Sequence, residues 1–334
     1  MTGSSMPNQT LPPRRRVLTA LTALTLAASA NAQPSSPASA AGGAPSPRRS
    51  AAVRGNQQPA EIIRDAHVQS FSLGQSMTGQ PWQIHLAVPR TRVPERGAPA
   101  LYLLDGNATF PLAWHALSQL RQTRPALAEK LNTLVLIGVG YPSGLRIDTP
   151  RRYEDFTAYT PLEFRQARGS DLTTGGRDVF RSFLAGPLRD AVRQRVNLDM
   201  QAQSLLGHSM GGQFAMHVLY RQPGLFQRYI AGDPSFWWNG SALLQEQAAF
   251  IAGIQAAGGR LALPLHVLLE NSGPPAQERP HPAAPLAHLQ SLPLWHRQQV
   301  DASHGSMLAA LVEDAIVFAL GAIPSHAERW ERAA

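Results

Sequence analysis

A chain of 334 residues, 43% hydrophobic and 16% charged, holds enough apolar side chains for one large folded domain or two small ones, which excludes a wholly disordered protein. Cysteine is absent, so disulfides, thiolate zinc sites, iron–sulfur clusters and cysteine nucleophiles are excluded. The formal charge of +8 suggests a nucleic-acid ligand until it is located. Arg14, Arg15, Arg16, Arg48, Arg49 and Arg54 stand in the first 60 residues with no acid, which leaves +2 on the remainder and no basic run to track a phosphate backbone.

Arg14–Arg16, the small and apolar stretch Val17 to Ala28, and Ala30-Asn31-Ala32 form the charged region, apolar region and cleavage motif of a signal peptide over residues 1–32. The paired arginines before Val17-Leu18 also suit a twin-arginine signal. The apolar run falls short of the about 20 residues a membrane-spanning helix needs, so no stable membrane insertion is expected once the signal is removed. Periplasmic or secreted localisation follows as an expectation. Residues 33–60, dominated by Ala, Ser, Pro, Gly and Gln, read as a flexible leader. A single α/β domain is expected over 61–325, with a tail over 326–334.

His67 to Met77 and Trp82 to Val88 read as two strands around the turn Thr78-Gly79-Gln80-Pro81, with Trp82, Ile84, Leu86 and Val88 on one face. Short apolar runs bounded by Gly and Pro follow: Ala100 to Leu104, Leu134 to Val139, Ser204 to Leu206, Tyr229 to Ala231, and Leu265 to Leu269. Helical spacing lies between them, at Val179 to Val196 and Gln213 to Tyr220 for example. Alternating strands and helices predict a mainly parallel sheet with helices on both faces and the N-terminal hairpin as its antiparallel edge.

Gly207-His208-Ser209-Met210-Gly211 is a G-x-S-x-G motif between a strand-like and a helix-like segment, the context of a nucleophile elbow. Ser209 is the candidate nucleophile, and the N–H of Met210, at the start of the helix, a candidate oxyanion donor. A serine hydroxyl needs a base to take its proton, and the base is expected downstream. His217, His266 and His296 fall in helix or strand, whereas His304 lies in the polar turn Asp301 to Met307, after the strand-like Trp295 to Val300, where a side chain can reach over the sheet edge. Glu270, at the end of the Leu265 to Leu269 strand, stands where the acid that orients the histidine is expected. Asp301 and Asp233 are alternatives, and a Ser–His dyad needs neither. Leu103-Leu104-Asp105-Gly106-Asn107 closes a strand with a sharp turn and offers the Asn107 N–H as a second oxyanion donor.

Tyr102 to Asn107, Gly207 to Gly212, Asp233-Pro234-Ser235-Phe236-Trp237-Trp238-Asn239 and His304-Gly305-Ser306-Met307 together resemble the esterase D-like branch of the α/β-hydrolases, over about residues 62–322. Within it the chain is most similar to periplasmic esterases that open the trilactone of enterobactin-type catecholate siderophores. The resemblance implies an α/β-hydrolase fold, an acyl-enzyme mechanism without cofactor or catalytic metal, and a small-molecule ester as partner, with iron entering only as part of the substrate. It implies substrate contacts for Arg152, in a segment similar to the family's Arg-containing one, and for Trp237 and Trp238 against catechol rings. One departure stands out: relatives usually carry a small residue where this chain has Asp233.

Overall fold

The computed structural model describes residues 57–166, 171–275 and 281–330, all within one compact unit, Pro45–Ala334. The expected signal peptide and nearly all of the leader lie outside the described residues. Among the described residues no helix is long and apolar enough to cross a membrane.

Among the described residues nine strands form one sheet in the order β1-β2-β4-β3-β5-β6-β7-β8-β9. They are β1 (Val68–Leu73), β2 (Trp82–Ala87), β3 (Ala98–Leu104), β4 (Val135–Gly140), β5 (Leu198–His208), β6 (Arg228–Gly232), β7 (His266–Ser272), β8 (Leu294–Gln299) and β9 (Glu328–Arg329). The six from β4 to β8 in that order are parallel, while β1 and β2 pair antiparallel to each other and β2 antiparallel to β4, as the hairpin pattern predicts. Side chains alternate across the parallel strands. Tyr102, Leu104 and Leu205 face one apolar layer, and Leu101, Leu103 and Leu206 face the other, so both sides of the sheet are buried under helices.

Four boundaries differ from the sequence pattern. The helical stretch at 179–196 is two helices, Arg177–Ala185 and Pro187–Arg193, because Pro187 has no N–H to continue the first and opens the second. Strand β7 continues past Leu269 to Ser272, paired with β8 as far as Gln299. The domain also runs beyond 325: Glu328 and Arg329 pair antiparallel with His296 and Trp295, and Trp330 packs against the core, so the expected tail contributes the last strand. At the other end, Pro59 bridges Leu145, which brings residues 58–60 of the expected leader onto the folded unit.

Candidate active site

The carboxyl ends of β3, β5, β6 and β7 lie side by side, and each delivers one part of the site. Ser209 follows β5 directly and sits at φ 60°, ψ −117°, a conformation costing about 1–3 kcal/mol for a residue with a side chain. It is held there by its own N–H, which donates to Gly232 O at 2.8 Å, and by its C=O, which accepts from Gln213 N at 2.9 Å and Ser235 N at 3.2 Å. Gly207 is required just before it, since a Cβ there would stand 2.0 Å from the Gly211 carbonyl oxygen. This is the strand–turn–helix of a nucleophile elbow, with the helix Met210–Arg221 starting immediately after the serine. Ser209 Oγ is 3.5 Å from Ser235 Oγ.

Met210 and Asn107 lie in the first turns of the helices that follow two neighbouring parallel strands. Met210 is the first residue of the helix after β5, and Asn107 the second of the helix Gly106–Thr123 after β3. Backbone N–H groups in a first helical turn have no partner within the helix and carry the positive end of its dipole, which suits both to an anionic oxygen. Asp105 turns the chain into that helix at φ 51°, and the Asn107 side chain fixes the turn by donating to Tyr141 O and Leu145 O and accepting from Tyr141 N.

His304 is brought to this edge by the turn after β8, with its side chain 57% exposed. Its Nδ1 lies 2.9 Å from Oδ2 of Asp233, so the ring donates from Nδ1 and leaves Nε2 as the acceptor nitrogen. Asp233, at φ 39° just past β6, is anchored in turn: Ser272 N and Asn271 Nδ2 donate to Oδ1, and Ser272 Oγ donates to Oδ2. Burial alone would raise its pKa, but the hydrogen bonds from His304 and Ser272 outweigh that and hold the carboxyl well below the usual carboxylate range.

Glu270, the acid expected from the sequence, does not meet His304. Because β7 runs on to Ser272, Glu270 pairs in register with Gly232 inside the sheet, one step short of the edge that Asp233 occupies. It is fully buried, accepts from Gln299 Nε2 at 2.6 Å, and lies 4.0 Å from Arg297, which pairs with Asp314. Burial raises its pKa, and the nearby Asp314 adds to the effect. Arg152 is also placed otherwise than expected for a substrate contact. It is largely covered and packed against Asp105, donating from Nε to Oδ1 at 3.0 Å and from a terminal nitrogen to Oδ2 at 2.9 Å, with a further bond to His208 O. It therefore braces the turns that carry Asn107 and Ser209. The two tryptophans divide: Trp238 is buried, its Nε1 bonded to Thr160 Oγ1, whereas Trp237 is 53% exposed.

His208 completes the cluster. Its ring lies 4.6 Å from that of His304, centroid to centroid, and its Nε2 is buried without a hydrogen-bond partner. Burial, with the neighbouring His304 ring and Arg152 adding to it, lowers its pKa to about 3.

The Esterase family model, described as Putative esterase, matches residues 74–259, more than half of the chain. The chain belongs to this esterase family. The chain is 35% identical over 184 residues to the siderophore enterobactin esterase of Emericella nidulans and 32% identical over 176 residues to the ferri-bacillibactin esterase BesA of Bacillus subtilis. Each match covers about half of this chain and 59% of the relative. Among solved structures it is similar to the BES protein of Bacillus cereus, at 26% identity and a TM-score of 0.64 over 78% of this chain and 97% of that one. Siderophore hydrolase EstA from Aspergillus nidulans gives 26% identity, a TM-score of 0.63 and the same coverage. The esterase family and the mainly parallel sheet thus agree with the resemblance that the sequence motifs carry.

Proposed function

We propose that this esterase is an exported serine hydrolase that cleaves the ester backbone of a catecholate siderophore and so releases its iron. Ser209 Oγ attacks an ester carbonyl while His304 Nε2 takes the hydroxyl proton. Asp233 holds the other ring nitrogen and stabilises the imidazolium that forms. The Met210 and Asn107 N–H groups receive the oxyanion. Collapse expels the alcohol, which leaves with the proton from His304, and water then frees the acyl group from Ser209 by the same steps in reverse.

The observation that carries this assignment is the 2.9 Å contact of His304 Nδ1 with Asp233, beside a serine in elbow geometry. The siderophore as substrate is supported by the names of two relatives, enterobactin esterase and ferri-bacillibactin esterase. Export is supported by the arginine, apolar and Ala-Asn-Ala sequence of residues 14–32.

Product analysis tests the function: the purified protein and Ser209→Ala are incubated with ferric enterobactin, iron-free enterobactin and a short-chain acyl ester. Linear trimer, dimer and monomer formed by the unmodified protein and not by Ser209→Ala are expected. Turnover confined to the short ester would replace the siderophore by another acyl substrate. Tight siderophore binding without products in either protein would replace hydrolysis by binding.

A further inference from the structure

Two imidazoles and a carboxylate converge beside Ser209. A ring nitrogen of His208, a carboxylate oxygen of Asp233 and a ring nitrogen of His304 all lie within 4.8 Å of one another. The proposed mechanism uses only the Asp233–His304 half of this group. His208 is left over, with Nε2 buried and unpartnered, although a buried ring nitrogen ordinarily finds a hydrogen bond. The adjacent Arg152 charge is already balanced by Asp105.

We infer that His208, Asp233 and His304 form a binding site for a borderline-soft divalent cation of the zinc class, and that the bound cation switches ester hydrolysis off. Two histidines and a carboxylate with one open position are a common zinc set. Zinc bonds of about 2.0–2.2 Å place tetrahedral ligand atoms about 3.3 Å apart, a spacing that the His304–Asp233 contact of 2.9 Å nearly has and that separations within 4.8 Å reach by a small side-chain movement. His304 is the member free to move, since it hangs on a turn with more than half its side chain exposed.

The loss of activity follows from tautomer chemistry and rests on the roles proposed above for Ser209 and His304. The His304 nitrogen that faces Asp233 is Nδ1. A cation bound there displaces its proton, and a neutral ring then carries its hydrogen on Nε2. That nitrogen can no longer accept the proton of Ser209. The cation also takes the Asp233 carboxylate away from its orienting role.

The test is calorimetric titration of zinc chloride into the full chain in a non-chelating buffer, with His208→Gln and His304→Gln as variants and magnesium chloride as the control cation. One zinc per chain in the unmodified protein, weakened about tenfold or more in both variants, is expected, with no magnesium binding. His304→Gln keeps the comparison valid if His208→Gln does not fold, because His304 is exposed. Zinc bound equally by the unmodified protein and the variants, or only weakly at several sites, overturns the site. The same titration is followed by hydrolysis of a short-chain ester, which stoichiometric zinc is expected to suppress and a chelator to restore. Binding at the three residues without suppression keeps the site and overturns the roles assigned to Ser209 and His304.

Discussion

Arg152 and Asp105 meet as fork against fork, with contacts of 3.0 and 2.9 Å, the carboxylate buried and the arginine side chain only 12% exposed. Asp105 precedes the helix that carries Asn107, and Arg152 also donates to the carbonyl of His208, next to Ser209. One ion pair therefore sets the spacing between the two candidate oxyanion donors. Arg152→Met leaves Asp105 charged and buried, and a loss of about 3 kcal/mol in urea unfolding is expected. The double variant Arg152→Met, Asp105→Asn should recover part of it, because Asn tolerates the left-handed backbone at 105 and carries no charge. A substrate-binding role alone would instead raise KM and leave the unfolding curve in place.

Asp233→Asn and Glu270→Gln separate the two carboxyls. An amide at 233 cannot hold the imidazolium, and kcat on a short-chain ester should fall by about 10⁴ with KM little changed. Glu270→Gln keeps an oxygen for Gln299 and should leave kcat within a few-fold of the unmodified protein. Asp301→Asn should do likewise. Steady-state kinetics at equal folded concentration decide, and collapse of Glu270→Gln alone would return the acid to β7.

Asp155 predicts a pH dependence of stability. It is buried, accepts from Trp82 Nε1 at 2.7 Å, and has its pKa raised from 3.8 to about 7, chiefly by burial. The folded state thus holds this proton more tightly than the unfolded state. The resulting stabilisation is fully present below about 4 and is lost as the pH rises through about 7. Glu270 acts in the same sense. Asp155→Asn, which can still accept from Trp82, should flatten the fall in unfolding free energy between pH 5 and 8, measured by denaturant titration at each pH. An unchanged slope would mean that Asp155 is ionised throughout.

Trp237 and Trp238 should part company. Trp238→Ala empties a core position and removes the bond to Thr160, at a cost of about 3–5 kcal/mol. Trp237→Ala should hardly move stability. If the exposed ring meets an aromatic siderophore, it raises KM for a catecholate ester and leaves that for a short acyl ester unchanged.

Most of this architecture is legible in the chain because its signals are local. Gly207 and Gly211 around Ser209 mark the elbow, and the alternation Trp82, Ile84, Leu86 marks the hairpin face. His304 stands out as the histidine in a turn after a strand. The acid is not local: whether Glu270 or Asp233 reaches the edge depends on where β7 stops relative to β6, a register fixed by pairing with β8 and invisible in either segment. One local feature fits Asp233, a carboxylate directly after the strand-like Tyr229 to Ala231 and ahead of Pro234-Ser235-Phe236. Arg152 misleads for a related reason. An arginine beside a site looks like a ligand contact until its buried partner, 47 residues earlier, is known. Strand β9 has only two residues and no periodicity to read.

That brief strand bears on how the protein behaves among its own copies. Strand β8 would otherwise present a row of unpaired backbone donors and acceptors along the rim of a nine-stranded sheet, a template onto which another chain could add. Glu328 and Arg329 occupy part of that row, and they bring two charged, exposed side chains to the outermost position. An edge this short and this charged gives an incoming strand little to pair with, and so guards the sheet against self-association.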